Sequence, residues 1–357
     1  MAACTQLKVT HLIVGATMNA RPTTPVPVIT GMGHYFPSTR LTNQFYEGLD
    51  IGTSAMWIEE RVGILERRTV LALEDVTKLR RGETTLAELR QHGRILPIGE
   101  MCREPWAMAK NRTGDFYADP NVVIAGTSVP DWDIPANACS IAATLGLETT
   151  AFDVNSACSS FVVDLHVARG LLGNGQATDV AIFNAERYST RVNFSDRASS
   201  VLFGDGAAAT LVSTRPGAKG LAVRDTVVIS SPAGNQHVKL PDGDFFSQNG
   251  AAVQKFAVTK TVAVTQEIMQ RQNLKPSDIT YFVAHQANYR MLMSAVEKLG
   301  FSPEKHLCNV QHFGNQGGAG APNVLSMNWD KYKVGDLIAV AVVGSGLTWA
   351  GALLEVV

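Results

Sequence analysis

Short apolar runs alternate with longer amphipathic segments along most of this chain. The apolar runs have the length of buried strands, and they predict strands at residues 27–32, 121–125, 180–184, 279–284 and 336–343. The segments with helical spacing of apolar residues predict helices at 164–172, 255–271 and 289–299. Because parallel strands need crossover helices between them, this alternation predicts an α/β fold with parallel βαβ units.

The two halves of the chain repeat the same order of features. In each half a strand, at 122–125 or 281–284, precedes a loop and a helix, and a glycine-rich turn, at 203–207 or 343–347, precedes a further apolar run. This repetition predicts a duplicated α/β unit. The predicted divisions are an N-terminal extension at 1–26, an N-terminal half at 27–217 and a C-terminal half at 218–357.

Composition places the chain among globular proteins. Its 357 residues are 45% hydrophobic and 18% charged, which is enough apolar material for a large core and too little charge for disorder. The 31 basic residues almost cancel the 32 acidic ones, so the chain as a whole has no field that attracts nucleic acid. We therefore expect no nucleic-acid partner.

One segment departs from this charge balance. Residues 61–112 hold eleven Lys and Arg residues against seven Asp and Glu residues. We interpret the stretch at about 70–105 as an inserted helical segment. It is either an ordinary solvated surface or a docking face for an acidic partner, and the sequence leaves both interpretations open.

The cysteines and the apolar runs indicate in which cellular compartment the protein is expected. The five cysteines are widely spaced and form no C-x-x-C pair, which argues against a disulfide framework or a zinc site and favours reducing conditions. No apolar run reaches the ~18 residues that a membrane span requires. The broken apolar stretch at 10–18 lacks a clear processing site, so we do not interpret it as a signal peptide. We expect a soluble, cytoplasmic protein without a membrane segment or a bound metal.

Cys158 is the first candidate for chemistry. It lies in Asn155-Ser156-Ala157-Cys158-Ser159-Ser160, where an extended segment meets the predicted helix. A thiol near a helix N-terminus is expected to have a lowered pKa, because free N–H groups and the helix dipole favour the thiolate. A lone cysteine is also commonly a small buried hydrophobe, so this segment alone leaves both roles open.

Two further segments carry side chains that a thiolate nucleophile needs. Val283-Ala284-His285-Gln286-Ala287-Asn288 places a histidine just after a strand, at the end where open α/β sheets build their sites. Gly314-Asn315-Gln316-Gly317-Gly318 places an amide side chain in a glycine-rich loop. An imidazole and a hydrogen-bond donor are the groups that assist a nucleophilic thiol and stabilise developing negative charge on oxygen.

In this order, the three segments resemble the β-ketoacyl-ACP synthase III family of thiolase-fold condensing enzymes. Three further motifs extend the resemblance over about residues 27–357: Trp57-Ile58-x-x-Arg61-x-Gly63-Ile64-x-x-Arg67, Phe203-Gly204-Asp205-Gly206-Ala207 and Gly344-x-Gly346-Leu347-Thr348-Trp349. The resemblance implies a thiolase-like α/β fold with two pseudo-repeated βαβαβαββ halves in α-β-α-β-α layers. It also implies a homodimer that uses no metal or redox cofactor.

The resemblance assigns roles to single residues. Cys158 matches the nucleophile that accepts the acyl group, and His285 and Asn315 match the pair that holds the second thioester and stabilises its enolate. The family pattern implies substrate-binding roles at the mouth for Trp57, Arg61, Asn288 and Arg290, and a contribution of Gly346 to the oxyanion hole. The implied substrates are thioesters of an acyl carrier protein or of CoA.

The implied reaction is a Claisen condensation that joins the Cys158-bound acyl group to a malonyl or β-ketoacyl thioester. Two features depart from the pattern of housekeeping members: the loop after Asn315 reads Gln316-Gly317-Gly318 where Thr-Ser-Ala is common, and Asn155-Ser156 stands where small apolar residues are usual. They favour a member of polyketide or fatty-acid-derived specialised metabolism, whose product is cyclised in some cases to a resorcinol, cyclohexanedione or pyrone. Two alternatives stay open: a non-decarboxylative acyltransferase that acts on an alcohol or amine, and a non-catalytic partner subunit.

Overall fold

The computed structural model of the protein describes residues 25–357. The predicted N-terminal extension, residues 1–26, therefore lies almost wholly outside the described residues. The strands are β1 (Val28–Tyr35), β2 (Thr39–Thr42), β3 (Glu66–Thr69), β4 (Val122–Gly126), β5 (Thr150–Asp153), β6 (Asp179–Glu186), β7 (Gly206–Ser213), β8 (Leu221–Ser230), β9 (Val238–Lys239), β10 (Ser247–Gln248), β11 (Tyr281–Ala284), β12 (Leu337–Gly344) and β13 (Thr348–Val356).

Helices connect and cover these strands. They are α1 (Asn43–Gly48), α2 (Ala55–Val62), α3 (Leu73–Arg81), α4 (Leu86–Gln91), α5 (Ile98–Met101), α6 (Arg103–Thr113), α7 (Asn137–Leu145), α8 (Ser160–Gly173), α9 (Gly250–Arg271), α10 (Tyr289–Leu299), α11 (Val310–Phe313) and α12 (Gly320–Met327). The α/β prediction is confirmed, and α10 has the bounds that its helical spacing predicts.

Nine of the strands form one mixed sheet in the order β11-β12-β13-β8-β1-β7-β6-β4-β5. Parallel pairs lie near its two edges, where β4 joins β5 and β6 and where β11 joins β12, and the central pairs are antiparallel. At the centre β1 and β8 pair over only two residues each, Val28 with Ala222 and Ile29 with Leu221. Within the sheet, the two halves are joined only by this short contact between β1 and β8.

The strand order shows the duplication directly. Read outward from the centre, β1-β7-β6-β4-β5 on one side matches β8-β13-β12-β11 on the other. The place that corresponds to β5 is taken in the second half by a single parallel bridge between Phe282 and His306. The chain passes between the halves at residues 214–220, and the predicted division at 217/218 falls in this connection.

The layers follow from which faces the helices cover. The central helix α8 contacts β4 and β6 of one half and β8 and β13 of the other, and α12 contacts β1, β7 and β11. The apolar core around Phe161, Leu165 and Val324 therefore lies between the halves. Helices α6 and α7 cover the outer face of the first half, whereas α9 covers the outer face of the second, with α10 packed against α9. This arrangement gives the predicted α-β-α-β-α layers.

Candidate active site

One cavity of about 410 Å³ is lined by Cys158, His285 and Asn315 together. Cys158 lies in the turn before α8, His285 follows β11, and Asn315 lies in the loop after α11. These segments are far apart in sequence, and the duplicated topology brings them to one place because corresponding strand ends of the two halves face each other. The structure thus brings together all three side chains that the sequence singles out.

The turn that carries Cys158 is held by hydrogen bonds from its polar neighbours. Ala157 has φ +48°, an unusual conformation for a residue with a side chain. The Asn155 side-chain oxygen accepts a hydrogen bond from the Ala157 N–H at 2.8 Å, and the Ser160 hydroxyl accepts one from the Ser156 N–H at 2.8 Å. Of the two residues that depart from the family pattern, Asn155 therefore supports the strained backbone next to the nucleophile, and the Ser156 hydroxyl is hydrogen-bonded to the Ser159 hydroxyl at 2.8 Å.

The expected lowering of the Cys158 pKa is wrong for the free enzyme. Burial of the sulfur, with a smaller contribution from the nearby Glu186 carboxyl, raises the pKa of the thiol to about 12. Hydrogen bonds from the Tyr188 hydroxyl and from the Cys158 N–H act in the opposite direction. Because burial disfavours a charged group, it outweighs the stabilisation expected at the helix N-terminus.

His285 is a buried, neutral imidazole. Its backbone N–H donates to the Ala341 carbonyl at 2.9 Å, which fixes its loop to β12. Burial lowers the pKa of the ring to about 4, so the side chain carries no charge at neutral pH. Its Nδ1 atom is enclosed and has no hydrogen-bond partner within residues 25–357. A neutral ring of this kind donates a hydrogen bond from one nitrogen only.

The side chain of Asn315 is oriented by its own loop. The backbone N–H of Asn315 donates to the Leu202 carbonyl at 2.8 Å, and the backbone carbonyl of Asn315 accepts from the Gly204 N–H at 3.0 Å. The side-chain oxygen accepts a hydrogen bond from the Gly317 N–H at 3.0 Å. Because the oxygen is thus occupied, the amide NH₂ is the group left to donate into the cavity.

The buried Arg67 side chain packs against the loop that carries Asn315. Its fully buried guanidinium donates to the Val201 carbonyl and to the Asn43 side chain, and it lies 5.1 Å from the centroid of the Tyr46 ring. A Cβ atom at Gly314 would lie 2.6 Å from Cγ of Arg67. The Asn315 loop can therefore pack against Arg67, the last arginine of the N-terminal motif, because Gly314 has no side chain.

The predicted substrate-binding residues divide into two groups. Trp57, Arg61 and Asn288 line the same cavity as the three central residues, and Arg61 is exposed to solvent. The other two, Arg290 and Gly346, do not line the cavity. Arg290 is exposed to solvent. In the C-terminal motif, the residues that line the cavity are Gly344, Ser345 and Leu347. Asn288 also accepts hydrogen bonds from two N–H groups of the first turn of α10, so it caps that helix.

The glycine of the C-terminal motif approaches the nucleophile turn closely. A Cβ atom at Gly344 would lie 2.8 Å from the Ser159 nitrogen and 2.9 Å from the Ser156 oxygen. Only a residue without a side chain fits there. The end of β12 therefore lies directly against the turn that holds Cys158.

Two family models match the chain. The model described as 3-oxoacyl-[acyl-carrier-protein] synthase III matches residues 152–232, and the model of its C-terminal part matches residues 269–356. The β-ketoacyl-[acyl-carrier-protein] synthase III of Syntrophomonas wolfei is 31% identical over 345 residues, which cover 92% of this chain and 96% of the relative. The synthase III of Clostridium perfringens is 33% identical, with 91% and 98% covered. The chain belongs to the β-ketoacyl-ACP synthase III family.

Solved structures agree with this assignment. The synthase III of Aquifex aeolicus superposes with a TM-score of 0.81 at 29% identity, over 92% of this chain and 99% of that one. The priming β-ketosynthase of the R1128 polyketide pathway shares the fold, with a TM-score of 0.80 at 23% identity. The predicted thiolase-like fold is confirmed. The protein is an acyltransferase of the EC 2.3.1 class, a Claisen-condensing ketosynthase.

The basic segment of this ketosynthase is helical, as predicted, but its charge is largely neutralised locally. It forms α3, α4 and α5 and the start of α6. Four of its cations pair with acidic side chains of the same segment: Lys78 with Glu74, Arg81 with Glu83, Arg94 with Asp75 and Arg103 with Glu100. The surface available to an acidic partner is therefore smaller than the count of basic residues suggests.

Neither metal ligands nor a membrane segment stand out in the described residues. Within residues 25–357, no three His, Cys, Asp or Glu side chains are grouped as ligands of a metal ion would be. No helix of that part of the chain is long and apolar enough to cross a bilayer. The expectation that the enzyme uses no cofactor stays a prediction.

Three further buried residues support the site, and one of them, Gln286, lies within the sequence motif of His285. Glu186 accepts hydrogen bonds from the N–H groups of Ser128 and Gly318, at 3.0 and 3.2 Å. Gln286 fixes the loop of His285, and the Tyr188 ring stacks on Phe203, which lines the cavity. Glu186 is the last residue of the buried strand β6 and Tyr188 lies in the turn after it, so the position at a strand end is the sequence signal that points to them.

Proposed function

We propose that this enzyme condenses an acyl group carried by Cys158 with a malonyl or β-ketoacyl thioester. The observation that carries the proposal is the shared cavity, which is lined by a thiol, a neutral imidazole and an amide whose oxygen is already bound. These groups match the two half-reactions: a nucleophile accepts the acyl group, and two uncharged donors hold the enolate oxygen.

With a malonyl thioester, the second half-reaction needs no base for a C–H proton, whereas a β-ketoacyl thioester would have to give its α-proton to a base. Loss of CO₂ from a malonyl unit leaves the electron pair on carbon, and hydrogen bonds from His285 and Asn315 spread the charge onto the thioester oxygen. The carbanion then attacks the acyl carbon on Cys158, the C–S bond breaks, and the sulfur takes up a proton from solvent. A histidine kept neutral by burial suits this task, because it donates without competing for the proton.

The donors in this proposal are thioesters of an acyl carrier protein or of CoA. The relatives named above carry the acyl carrier protein in their names. Trp57 and Arg61 line the cavity, with the Arg61 side chain in solvent, where the pantetheine arm of either donor enters.

The pathway in this proposal belongs to specialised metabolism. Its support is the set of departures around the nucleophile: Asn155 and Ser156 hold the Cys158 turn, and Gly317 and Gly318 shape the Asn315 loop. The β-keto product either leaves the enzyme as it is or closes to a resorcinol, cyclohexanedione or pyrone ring, and mass spectrometry of the product distinguishes these classes.

The proposal includes a homodimer. Trp132 and Ile134 are 58% and 86% exposed on the loop before α7, and β5 is an edge strand of the sheet. The loop lies close to the strand, because Asn137, the residue of α7 that directly follows the loop, donates its N–H to the Asp153 carboxylate of β5 at 2.8 Å. An exposed apolar loop beside an unpaired strand edge is a surface that a second copy of the chain would cover.

The test is intact-mass spectrometry after incubation with a panel of acyl thioesters. We expect the wild-type protein to gain one acyl group, the Cys158→Ala variant to gain none, and a variant at the exposed thiol, Cys139→Ala, to behave as the wild type. A wild-type protein that reacts with no donor would favour the non-catalytic partner subunit.

Release of labelled CO₂ from a malonyl thioester separates the remaining alternatives. We expect the acylated wild type to release CO₂, and His285→Ala and Asn315→Ala to keep acylation while losing roughly 100-fold in CO₂ release, since each removes one donor. Acylation without CO₂ release, followed by transfer to an alcohol or amine, would establish the non-decarboxylative acyltransferase instead.

A further inference from the structure

The basic segment contributes no residue to the active-site cavity, and its buried side chains show what it is anchored to. Ile95 and Val129 belong to the same cluster of buried apolar side chains. Val129 lies in the connection between β4 and α7, residues 127–136, which we call the α7 loop. The segment also packs on α7 itself: a Cβ atom at Gly99 of α5 would lie 2.5 Å from Oγ1 of Thr144. The basic segment is therefore packed against this loop and the helix that follows it.

One buried arginine joins the segment to the α7 loop. Arg187 follows β6 directly and is 2% exposed. Its guanidinium donates to the Leu96 carbonyl at 2.9 Å and pairs with the Asp131 carboxylate at 2.7 Å. The other Asp131 carboxylate oxygen accepts from the Ile98 N–H at 2.9 Å. Because Leu96 and Ile98 belong to the basic segment and Asp131 to the α7 loop, the two are linked both through the arginine and directly.

The α7 loop is also fixed at its other end. The backbone and side-chain N–H groups of Asn137 donate to the Asp153 carboxylate at 2.8 and 3.1 Å, and the Asn137 side-chain oxygen accepts from the Asp131 N–H at 3.3 Å. The exposed Trp132 and Ile134 thus lie between two anchored residues. A flexible loop loses conformational entropy when a partner covers it, whereas a loop that is already held in place loses little.

We infer that the basic segment is an assembly element: through the Arg187–Asp131 ion pair it holds the α7 loop in the conformation that presents Ile134 to a second copy of the chain. The inference rests on the homodimer of the proposed function. The exposed cations of the segment are not required for this role, because four of them pair with acidic side chains of the same segment. The contacts that carry the role are the buried ones.

The ion pair gives the contact between segment and loop a defined geometry. A guanidinium donates in fixed directions, so Arg187 reaches the Leu96 carbonyl and the Asp131 carboxylate together only in one arrangement of the two parts. Without the arginine, the carboxylate loses its counter-ion and is better solvated by water than by the protein interior. Loss of the arginine therefore favours movement of the α7 loop away from the segment.

The first experiment measures the dimer dissociation constant of Arg187→Met by sedimentation velocity over a dilution series. Methionine fills the space of the arginine without its charge or its donors. We expect the dissociation constant to rise about tenfold or more, since the loop must then be ordered on association. The matched control is Arg103→Met, which removes an exposed ion pair with Glu100 in the same segment and should leave the constant unchanged. Equal constants for Arg187→Met and the wild type would overturn the inference.

Hydrogen exchange separates this inference from the homodimer on which it rests. In the background of Ile134→Asp, which removes coverage by a second copy, mass spectrometry follows amide exchange at Ile98 and Asp131. We expect Arg187→Met to speed exchange at both amides about tenfold or more, because the loop then opens locally. Unchanged exchange would overturn the inference. A wild type that stays monomeric, together with faster exchange in Arg187→Met, would contradict the homodimer and confirm that the segment holds the loop.

A second variant covers the case in which Arg187→Met does not fold. The double variant Arg187→Met with Asp131→Asn removes both charges, so no unpaired charge is left in the interior. Asparagine still offers an oxygen to the Ile98 N–H, whereas the link to the Leu96 carbonyl is lost. Urea unfolding should show a stability close to that of the wild type, with the dimer dissociation constant raised as in the single variant. A double variant that is as tightly dimeric as the wild type would overturn the inference.

Discussion

The side-chain oxygen of Gln286 accepts a hydrogen bond from the backbone N–H of Asn309, at 2.9 Å. The same oxygen accepts a second hydrogen bond from the Val310 N–H at 3.2 Å, and the side-chain nitrogen donates to the Ala284 carbonyl at 2.6 Å. One buried side chain thus joins the loop of His285 to the segment that leads into the Asn315 loop. The two donors of the proposed condensation step are thus held together by a residue that does not itself line the cavity.

Replacement of this residue should therefore uncouple the two half-reactions. In Gln286→Ala two buried N–H groups lose their partner, and we expect the free energy of unfolding to fall by about 2–4 kcal/mol. CO₂ release should fall at least tenfold, whereas acylation of Cys158 should change little, because the hydrogen bonds of the Gln286 side chain go to Ala284, Asn309 and Val310 and not to the turn of Cys158. Urea unfolding and the two separate assays measure these effects.

The exposed Gln91 at the end of α4 provides the control for this variant. Gln91→Ala should leave stability and both half-reactions unchanged. Equal losses of acylation and CO₂ release in Gln286→Ala would show that the residue supports the whole site rather than the donor pair alone.

Glu186 predicts a specific dependence of stability on pH. Burial raises the pKa of its carboxyl from its ordinary value of 4.5 to about 8 in the folded protein. Between these values the folded state holds a proton that the unfolded state has lost, so the contribution of this group to stability is complete below pH 4.5 and is lost as the pH rises to about 8. Glu186→Gln removes the titration, and its free energy of unfolding should fall less steeply over this range than that of the wild type.

Urea unfolding at several pH values tests this expectation. Glu297, an exposed carboxyl on α10, gives the matched variant Glu297→Gln, which should keep the pH dependence of the wild type. Parallel curves for Glu186→Gln and the wild type would mean that the buried carboxyl is already ionised well below pH 8.

The exposed apolar loop before α7 predicts the effect of a charge on assembly. If Trp132 and Ile134 are covered by a second copy of the chain, Ile134→Asp places a carboxylate in an apolar contact and should shift the protein from dimer to monomer in sedimentation velocity. Val334 is 82% exposed on a turn elsewhere, and Val334→Asp should leave the dimer intact. A wild type that sediments as a monomer at micromolar concentration would contradict the homodimer.

Local patterns in the sequence suffice for the element types and for the identity of the central residues. The spacing at 289–299 predicts α10 with its observed bounds, because Asn288 at its start and Gly300 after its end are short-range signals. The motifs around Cys158, His285 and Asn315 are equally local, and each identifies one candidate functional group: a thiol, an imidazole or an amide. The order of the motifs is enough to place the chain in its family.

Long-range contacts decide the properties that the sequence leaves open. The pKa of Cys158 is raised although a helix begins beside it, because burial and Glu186 come from elements distant in sequence. The basic segment is largely neutralised, since its helices bring pairs such as Arg94 and Asp75 to within 2.8 Å. The Tyr188 ring packs against the loop of Asn315 because Gly317 leaves space for it. Solvation, charge pairing and steric space depend on what surrounds a residue in three dimensions, and the tertiary structure alone supplies those neighbours.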